Sequence, residues 1–319
     1  MTKVQKLFST YSGQVESILV VTILLQIVVM VFVPNYMSSQ NIALLLRSIP
    51  TYGVIALGMC LLMVTQEIDL SIGSTFALAP LLSAKLVNIG VDIWVCFVVS
   101  LIVGAAVGFV NGLITVKTKI PSFIATLGTM MIWRGLTYVL SGGQTVGIVP
   151  SEAFRQVFNG SVGIIPVQFI WLVALTVVFW VFMTKHTFGN HAMATGGDLK
   201  VAQALGLNTA RIKVICFIVL GIVTALGANF DAVRVRTVFP TQGEGLALII
   251  IAAVLIGGTK LNGGEGTIWG TFFGVVLIYT IQDVLLLLRV RAYYFQLFVG
   301  IVIIFAVIMN IFFEERKKQ

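Results

Sequence analysis

Charge is what this sequence has least of. Only 10% of its 319 residues are Asp, Glu, Lys or Arg, whereas 58% are hydrophobic. A soluble domain carries roughly 25% charged residues, so the deficit argues against a soluble globular fold. Helices that face lipid must be apolar outside as well as inside, which accounts for a mean hydropathy of +1.05. Histidine is almost missing: His186 and His191 share a polar stretch with no Cys nearby, so no metal site is expected. The three cysteines, Cys60, Cys96 and Cys216, stand far apart in apolar runs. They are expected as buried thiols, not as disulfides or metal ligands. Catalytic constellations are missing too. There is no Ser-His-Asp order, no H-E-x-x-H and no carboxylate pair on a soluble scaffold, so neither an enzyme active site nor a cofactor is expected. The glycine-rich segment 257–266 lacks the G-x-x-x-x-G-K-[ST] order and follows no strand, so it is a turn and not a phosphate cradle.

What the sequence has is long apolar runs. Windows of about 20 residues mark ten spans near 16–34, 50–65, 71–87, 93–115, 122–140, 167–184, 212–231, 244–258, 267–284 and 294–313. The second and third are short and could form one broken element, so eight to ten spans is the expected range. The fold class is all-α, a polytopic membrane helical bundle, with residues 1–319 as one transmembrane domain. The first run, from Ser17 to Val33, exceeds a signal-peptide core and precedes no small-x-small cleavage site, so it is expected to stay as a helix.

The net charge of +8 is scattered over short loops and both ends, which fits anionic headgroups and orientation signals better than nucleic acid. Lys3 and Lys6, Lys117 and Lys119, the 185–213 stretch, Lys260 and the terminal Arg316-Lys317-Lys318 fall on one side of a ten-span map. That bias places both ends in the cytoplasm. Two connections are long: 141–166 on the outer side and 185–211 on the inner side. A sizeable loop on each face suggests a partner on each face, although ordinary connectors would look the same.

Glycines recur at helix-packing intervals: Gly104, Gly108 and Gly112, then Gly270 and Gly274, with Gly221 and Ala225 as a looser case. Four residues are about one turn, so each set shares a face and lets backbones approach. Asn111, Arg134, Asn229, Asp231, Asp283 and Asn310 interrupt or end apolar runs, and such groups are expected to face the bundle interior, a cavity or the headgroups. Between the second and third spans, Gln66-Glu67-Ile68-Asp69-Leu70-Ser71 puts acids and hydroxyls where the chain turns back into the membrane. Asp69 and Ser71 either cap the next span or line a path for cargo. Lys260-Leu261-Asn262 loosely echoes Asp69-Leu70-Ser71, but the offset of six spans would make a parallel repeat, where many transporters use inverted ones.

Four ordered motifs resemble a known family, the ribose-type sugar ABC permeases. Residues 68–74, Ile-Asp-Leu-Ser-Ile-Gly-Ser, are similar to its I-D-L-S-[VI]-G-S signature, and 121–129 to its P-S-F-I-A-T-L-G-T stretch without a mismatch. Ala194 to Asn208 resembles its cytoplasmic G-G-N-x-x-A-A motif, and 257–267 its glycine turn. The departures are Gln66-Glu67 for Gly-Gly, Asp198 for Asn, and Lys260, Asn262 and Glu265 for Ser, Ser and Arg. The resemblance implies the ABC importer permease fold and alternating access in the bacterial inner membrane. Its cargo would be a ribose-like pentose, a hexose or a related furanoid, with nucleoside and autoinducer-type cargo, or transport without an ATPase, as alternatives. The implied partners are ABC ATPase subunits, a periplasmic or surface substrate-binding protein, and a second permease copy or paralogue. A coupling helix near Leu199 to Leu205 would meet the ATPase through Gly196, Gly197, Asp198, Ala202, Ala204 and Gly206. Asp69, Ser71, Asn111, Thr126 and Asn229 would line the path.

Overall fold

The computed structural model describes residues 3–318. In chain order its helices are α1 (Lys3–Phe32), α2 (Ser39–Val64), α3 (Ile72–Asn88), α4 (Ile93–Thr118), α5 (Ser122–Ser141), α6 (Glu152–Asn159), α7 (Val167–Thr184), α8 (Thr187–Gly197), α9 (Leu199–Ala204), α10 (Thr209–Val235), α11 (Leu246–Ile256), α12 (Ile268–Leu287) and α13 (Ala292–Lys318). Ten of them coincide with the ten expected spans. By length and composition seven are able to cross a membrane, namely α1, α2, α4, α5, α7, α10 and α12, whereas α3, α11 and the apolar part of α13 are shorter. The side chain of Asn310, like those of the terminal basic residues, lies outside the described part.

The second span was expected to begin at residue 50, but α2 begins eleven residues earlier and runs straight through Pro50. Asn41 and Arg47 depress the hydropathy of that first part, which hid it. Both polar side chains are satisfied. Asn41 Nδ2 donates to Asp283 Oδ2 on α12 at 2.8 Å, and Arg47 donates to the carbonyl and the side chain of Asn159, each at 2.8 Å. Ser38 Oγ caps α2 by accepting from Asn41 N.

The glycine stripes do what their spacing predicts. A Cβ added to Gly104 would lie 2.3 Å from the Gly221 carbonyl, and one on Gly221 would lie 2.0 Å from the Gly104 carbonyl. Backbones of α4 and α10 therefore touch, and α10 becomes the hub of the bundle. All three cysteines are buried.

Helix pairing reveals an internal repeat. α3 packs on α4 and α5 as α11 packs on α12 and α13, α10 packs on α4 and α3 as α2 packs on α12 and α11, and α4 meets α5 as α12 meets α13. The repeat thus relates α2–α5 to α10–α13, an offset of five spans, and an odd offset inverts the second copy. The six-span echo is not the repeat. Its two turns instead touch, with Gly264 N donating to the Val64 carbonyl at 2.9 Å. At the centre, the halves meet backbone to backbone. A Cβ on Gly73 would fall 2.3 Å from the Gly243 carbonyl, and one on Gly243 would fall 2.5 Å from the Gly73 carbonyl.

That meeting point is deep. Gly73 lies fifteen residues before Asn88 on α3, about 22 Å along the axis at 1.5 Å per residue. On the other half, α11 has eleven residues and is about 16 Å long, half of a hydrocarbon core of about 30 Å. So 65–71 climbs into the membrane from one end of the bundle, and 236–245 descends from the other. Loops 65–71 and 257–267 share one end with the α8–α9 segment. The other end holds β1 (Val146–Gly147), paired antiparallel with β4 (Thr237–Val238), and the hairpin of β2 (Ser161–Val162) and β3 (Ile165–Pro166). There α6 is held by Phe154 and Phe158, both buried, against Trp94 and Phe97 of α4.

Candidate functional site

The climbing segment is fixed by α5. Ser122 Oγ accepts from Ile68 N and Thr126 Oγ1 accepts from Leu70 N, each at 3.0 Å. Serine and threonine four apart on α5 therefore replace the neighbouring strand that residues 68–70 lack. Without them two amides would be unpaired at membrane depth, which is costly. Ser74 Oγ adds a bond to the Met130 carbonyl at 2.8 Å.

Asp69, Ser71, Asn111 and Thr126, separated by up to 57 residues in sequence, come together here. Asn111 Nδ2 donates to Asp69 Oδ2 at 3.0 Å and to Ser71 Oγ at 2.7 Å, while Ser71 N donates to Asp69 Oδ1 at 2.7 Å. Trp133 Nε1 closes the group on Asn111 Oδ1 at 3.4 Å. Ser71 occupies the cap position of α3 but makes no side-chain cap bond, so capping by its hydroxyl is not what the structure shows. That hydroxyl faces Asn111 instead. All four residues are buried, and the arrangement is a lock that holds the climbing segment. Asn229 is elsewhere: its amide spans α10 and α4 through Ser100 Oγ at 2.8 Å. Asn111 and Ser100 are eleven residues apart on α4, about 16 Å, so Asn229 is not part of this group.

Three residues that depart from the ribose-type pattern, Glu67, Lys260 and Glu265, are ion-paired. Glu67 is ion-paired with Lys213 of α10, and Lys260 with Glu265 at 2.7 Å. Gln66 sits at φ +67°, the left-handed conformation in which a glycine is unstrained. No local signal points from Glu67 to Lys213, 146 residues away, and sequence reasoning missed that pair.

On the same end of the bundle, Asp198 Oδ1 accepts from Lys200 N and Val201 N and starts α9. Helix α9 presents Leu199, Val201 and Leu205 outward. Ala204 and Gly206 are exposed as well, and Gly206 stands at φ +82° with open space around it. Ala202, expected on the outward face, is 1% exposed, so its small side chain serves packing within the chain. Gly196 is also used internally: a Cβ there would lie 1.9 Å from the Val64 carbonyl and 2.9 Å from Gly264 N. The α8–α9 corner is thereby pressed against the last residue of α2, where the climbing segment begins.

At the deep meeting point Arg134 of α5 donates to the carbonyls of Gly73, Pro240 and Gln242, bracing both halves. Gln242 Nε2 donates to Asp231 Oδ2 at 2.7 Å, and Asp231 is ion-paired with Arg234 at 2.5 Å. Glu244 beside them is exposed. Sequence reasoning named Arg134 and Asp231 only as intramembrane polar groups and passed over Gln242 and Glu244. The signal was the shortness of the eighth span, with Gly243 and Gly245 at its start.

Comparison with known proteins agrees with this architecture. A family described as "Branched-chain amino acid transport system / permease component" matches residues 41–307. The ribose import permease protein of Bacillus subtilis (strain 168) is 38% identical over 297 residues, covering 93% of this chain and 91% of its own. The L-arabinose transport system permease protein of Escherichia coli (strain K12) is 32% identical over 301 residues, covering 94% and 91%. The autoinducer 2 import system permease protein of Photorhabdus luminescens is 32% identical over 276 residues, covering 86% and 83%. No solved structure matches the chain. Helical architecture and similarity together place the chain in this permease-component family, as the membrane-spanning transport subunit of an ABC importer.

Proposed function

We propose that this permease imports a sugar, with pentoses first, handed over by a substrate-binding protein at the 141–166 end and released at the 185–211 end. The contact of Gly196 with the Val64 carbonyl carries the mechanism. A separate ATPase subunit docking on the exposed apolar side of α9 would push, through that contact, on the segment that Asp69, Ser71, Asn111 and Thr126 hold. Breaking the lock and remaking it would alternate access. Two copies, or one copy and a paralogue, would form the core, with both chain ends in the cytoplasm of an inner membrane.

The cargo class follows the names of the relatives, ribose, arabinose and autoinducer 2, against the amino-acid wording of the family description. The test is uptake by proteoliposomes holding the permease, its ATPase and its binding protein, with radiolabelled D-ribose, L-arabinose and L-leucine. ATP-dependent uptake of either pentose is expected. Uptake of L-leucine with neither pentose would overturn the sugar reading, and pentose uptake without the ATPase would overturn the coupling.

A further inference from the structure

Glu244 is the feature that neither the lock nor the coupling corner uses. It follows Gly243, which touches Gly73 at the centre of the molecule, and so lies near the membrane midplane. Its side chain is exposed, makes no hydrogen bond or salt bridge among the described residues, and feels the positive charge of Arg134 through space. Thr241 and Gly245 on the same descending loop are exposed too, and a Cβ on Gly245 would meet nothing within 4 Å. Arg134, also partly exposed, braces the loop from behind through the carbonyls of Pro240 and Gln242. A carboxylate without a hydrogen bond at this depth is too costly to face lipid, so it faces water or protein. The space beside Gly245 and the exposure of three neighbouring loop residues favour water.

We propose that Glu244 is a cargo-contacting residue at the midplane of the translocation path, whose carboxylate accepts hydrogen bonds from the hydroxyls of an uncharged polyol. The ligand class rests on the sugar reading above, whereas the water-lined position does not. A carboxylate suits this task because charge-assisted bonds to hydroxyl donors are short and strong. Hydroxyl-bearing cargo would gain from it, and cargo without hydroxyls would leave it unpaired. Arg134 is a positioning residue, since it donates to the carbonyls of Pro240 and Gln242 that shape the loop.

The test uses the assembled transporter in proteoliposomes, with Cys60, Cys96 and Cys216 replaced by alanine. Glu244→Cys, Thr241→Cys and, on the exposed side of α1, Leu24→Cys are exposed to an anionic methanethiosulfonate, which needs a hydrated thiolate. Glu244→Cys and Thr241→Cys should react about tenfold faster or more than Leu24→Cys, and modification of Thr241→Cys should stop uptake. No reaction at either position, in the nucleotide-free and in the vanadate-trapped state alike, would place the loop against protein and overturn the proposal. In parallel, Glu244→Leu should cut D-ribose uptake about tenfold or more, with Glu244→Gln retaining more of it. Equal uptake by Glu244→Leu and the wild type would overturn the cargo contact. Wild-type liposomes that take up neither pentose would overturn the sugar reading alone, because the labelling comparison contains no cargo.

Discussion

Two neighbouring glycines in the α8–α9 corner make opposite predictions. Gly196→Ala forces a methyl group to within 1.9 Å of the Val64 carbonyl, whereas the nearest atom to a Cβ on Gly197 is 3.7 Å away, an ordinary contact. Gly196→Ala should therefore push the corner off α2 and abolish ATP-driven uptake. Gly197→Ala should transport like the wild type, and the two are compared in the same uptake assay. Gly206 is constrained differently. Nothing crowds it, but at φ +82° a residue with a Cβ costs about 1–2 kcal/mol. Gly206→Val should insert and assemble yet lose cargo-stimulated ATP hydrolysis, beside a tolerated Ala153→Val on the opposite face. Wild-type stimulation in Gly206→Val would remove α9 from the ATPase contact. At this scale the sequence was a good guide wherever a glycine's neighbours did not matter. The left-handed turn at Gly206 could be read from its place after a short helix. The partner of Gly196 could not, because Val64 is 132 residues away and small residues at packing intervals do not name what they touch.

Among elements, the climbing segment depends on a few side chains. Asn111→Leu removes the two hydrogen bonds that Asp69 and Ser71 receive from α4 and leaves Asp69 with the Ser71 amide, a loss of about 1.5–3 kcal/mol for the bond to the carboxylate. The expected result is a transporter with raised ATPase activity in the absence of binding protein and lower thermal stability in detergent. Unchanged basal ATPase activity would deny the lock a part in gating. Helix α6 offers a pH test. Hydrogen bonds from Arg155 and Gln156 push the Glu152 carboxyl down from 4.5 to about 2. A depressed carboxyl stabilises the fold above its unfolded value and loses that contribution as pH falls. The end of α6 should therefore loosen between about pH 4.5 and 2, measured as faster hydrogen exchange at 152–159, and Glu152→Gln should remove the dependence. Span positions were legible because apolarity fixes them. Depth was not: the fifteen-residue window at 244–258 looked like a short crossing, whereas α11 is a half-helix preceded by a descending loop. Hydropathy counts residues and is blind to where an element starts.

For the whole molecule, the inverted repeat sets topology. With ten crossings, a reporter fused after Lys318 and one inserted in 141–166 should lie on opposite sides of the membrane, and finding both on one side would mean an uncounted crossing. The repeat itself was hidden in the sequence. The halves share a packing scheme but only short identical runs, such as Ala56-Leu57-Gly58 in α2 and Ala225-Leu226-Gly227 in α10, and the visible echo at 69–71 and 260–262 pointed to a different offset. The sheet that joins β1 to β4 gives this topology a pharmacological side. Val146 and Gly147 of the 141–166 loop are paired with Val238 and Thr237, and only five residues separate Val238 from Glu244. The loop is a handle attached to the segment that descends to the contact of Gly73 with Gly243. An antibody fragment raised against 148–160 would grip that handle from the aqueous side and hold the descending loop still. It would inhibit uptake allosterically, without entering the membrane and without competing for cargo.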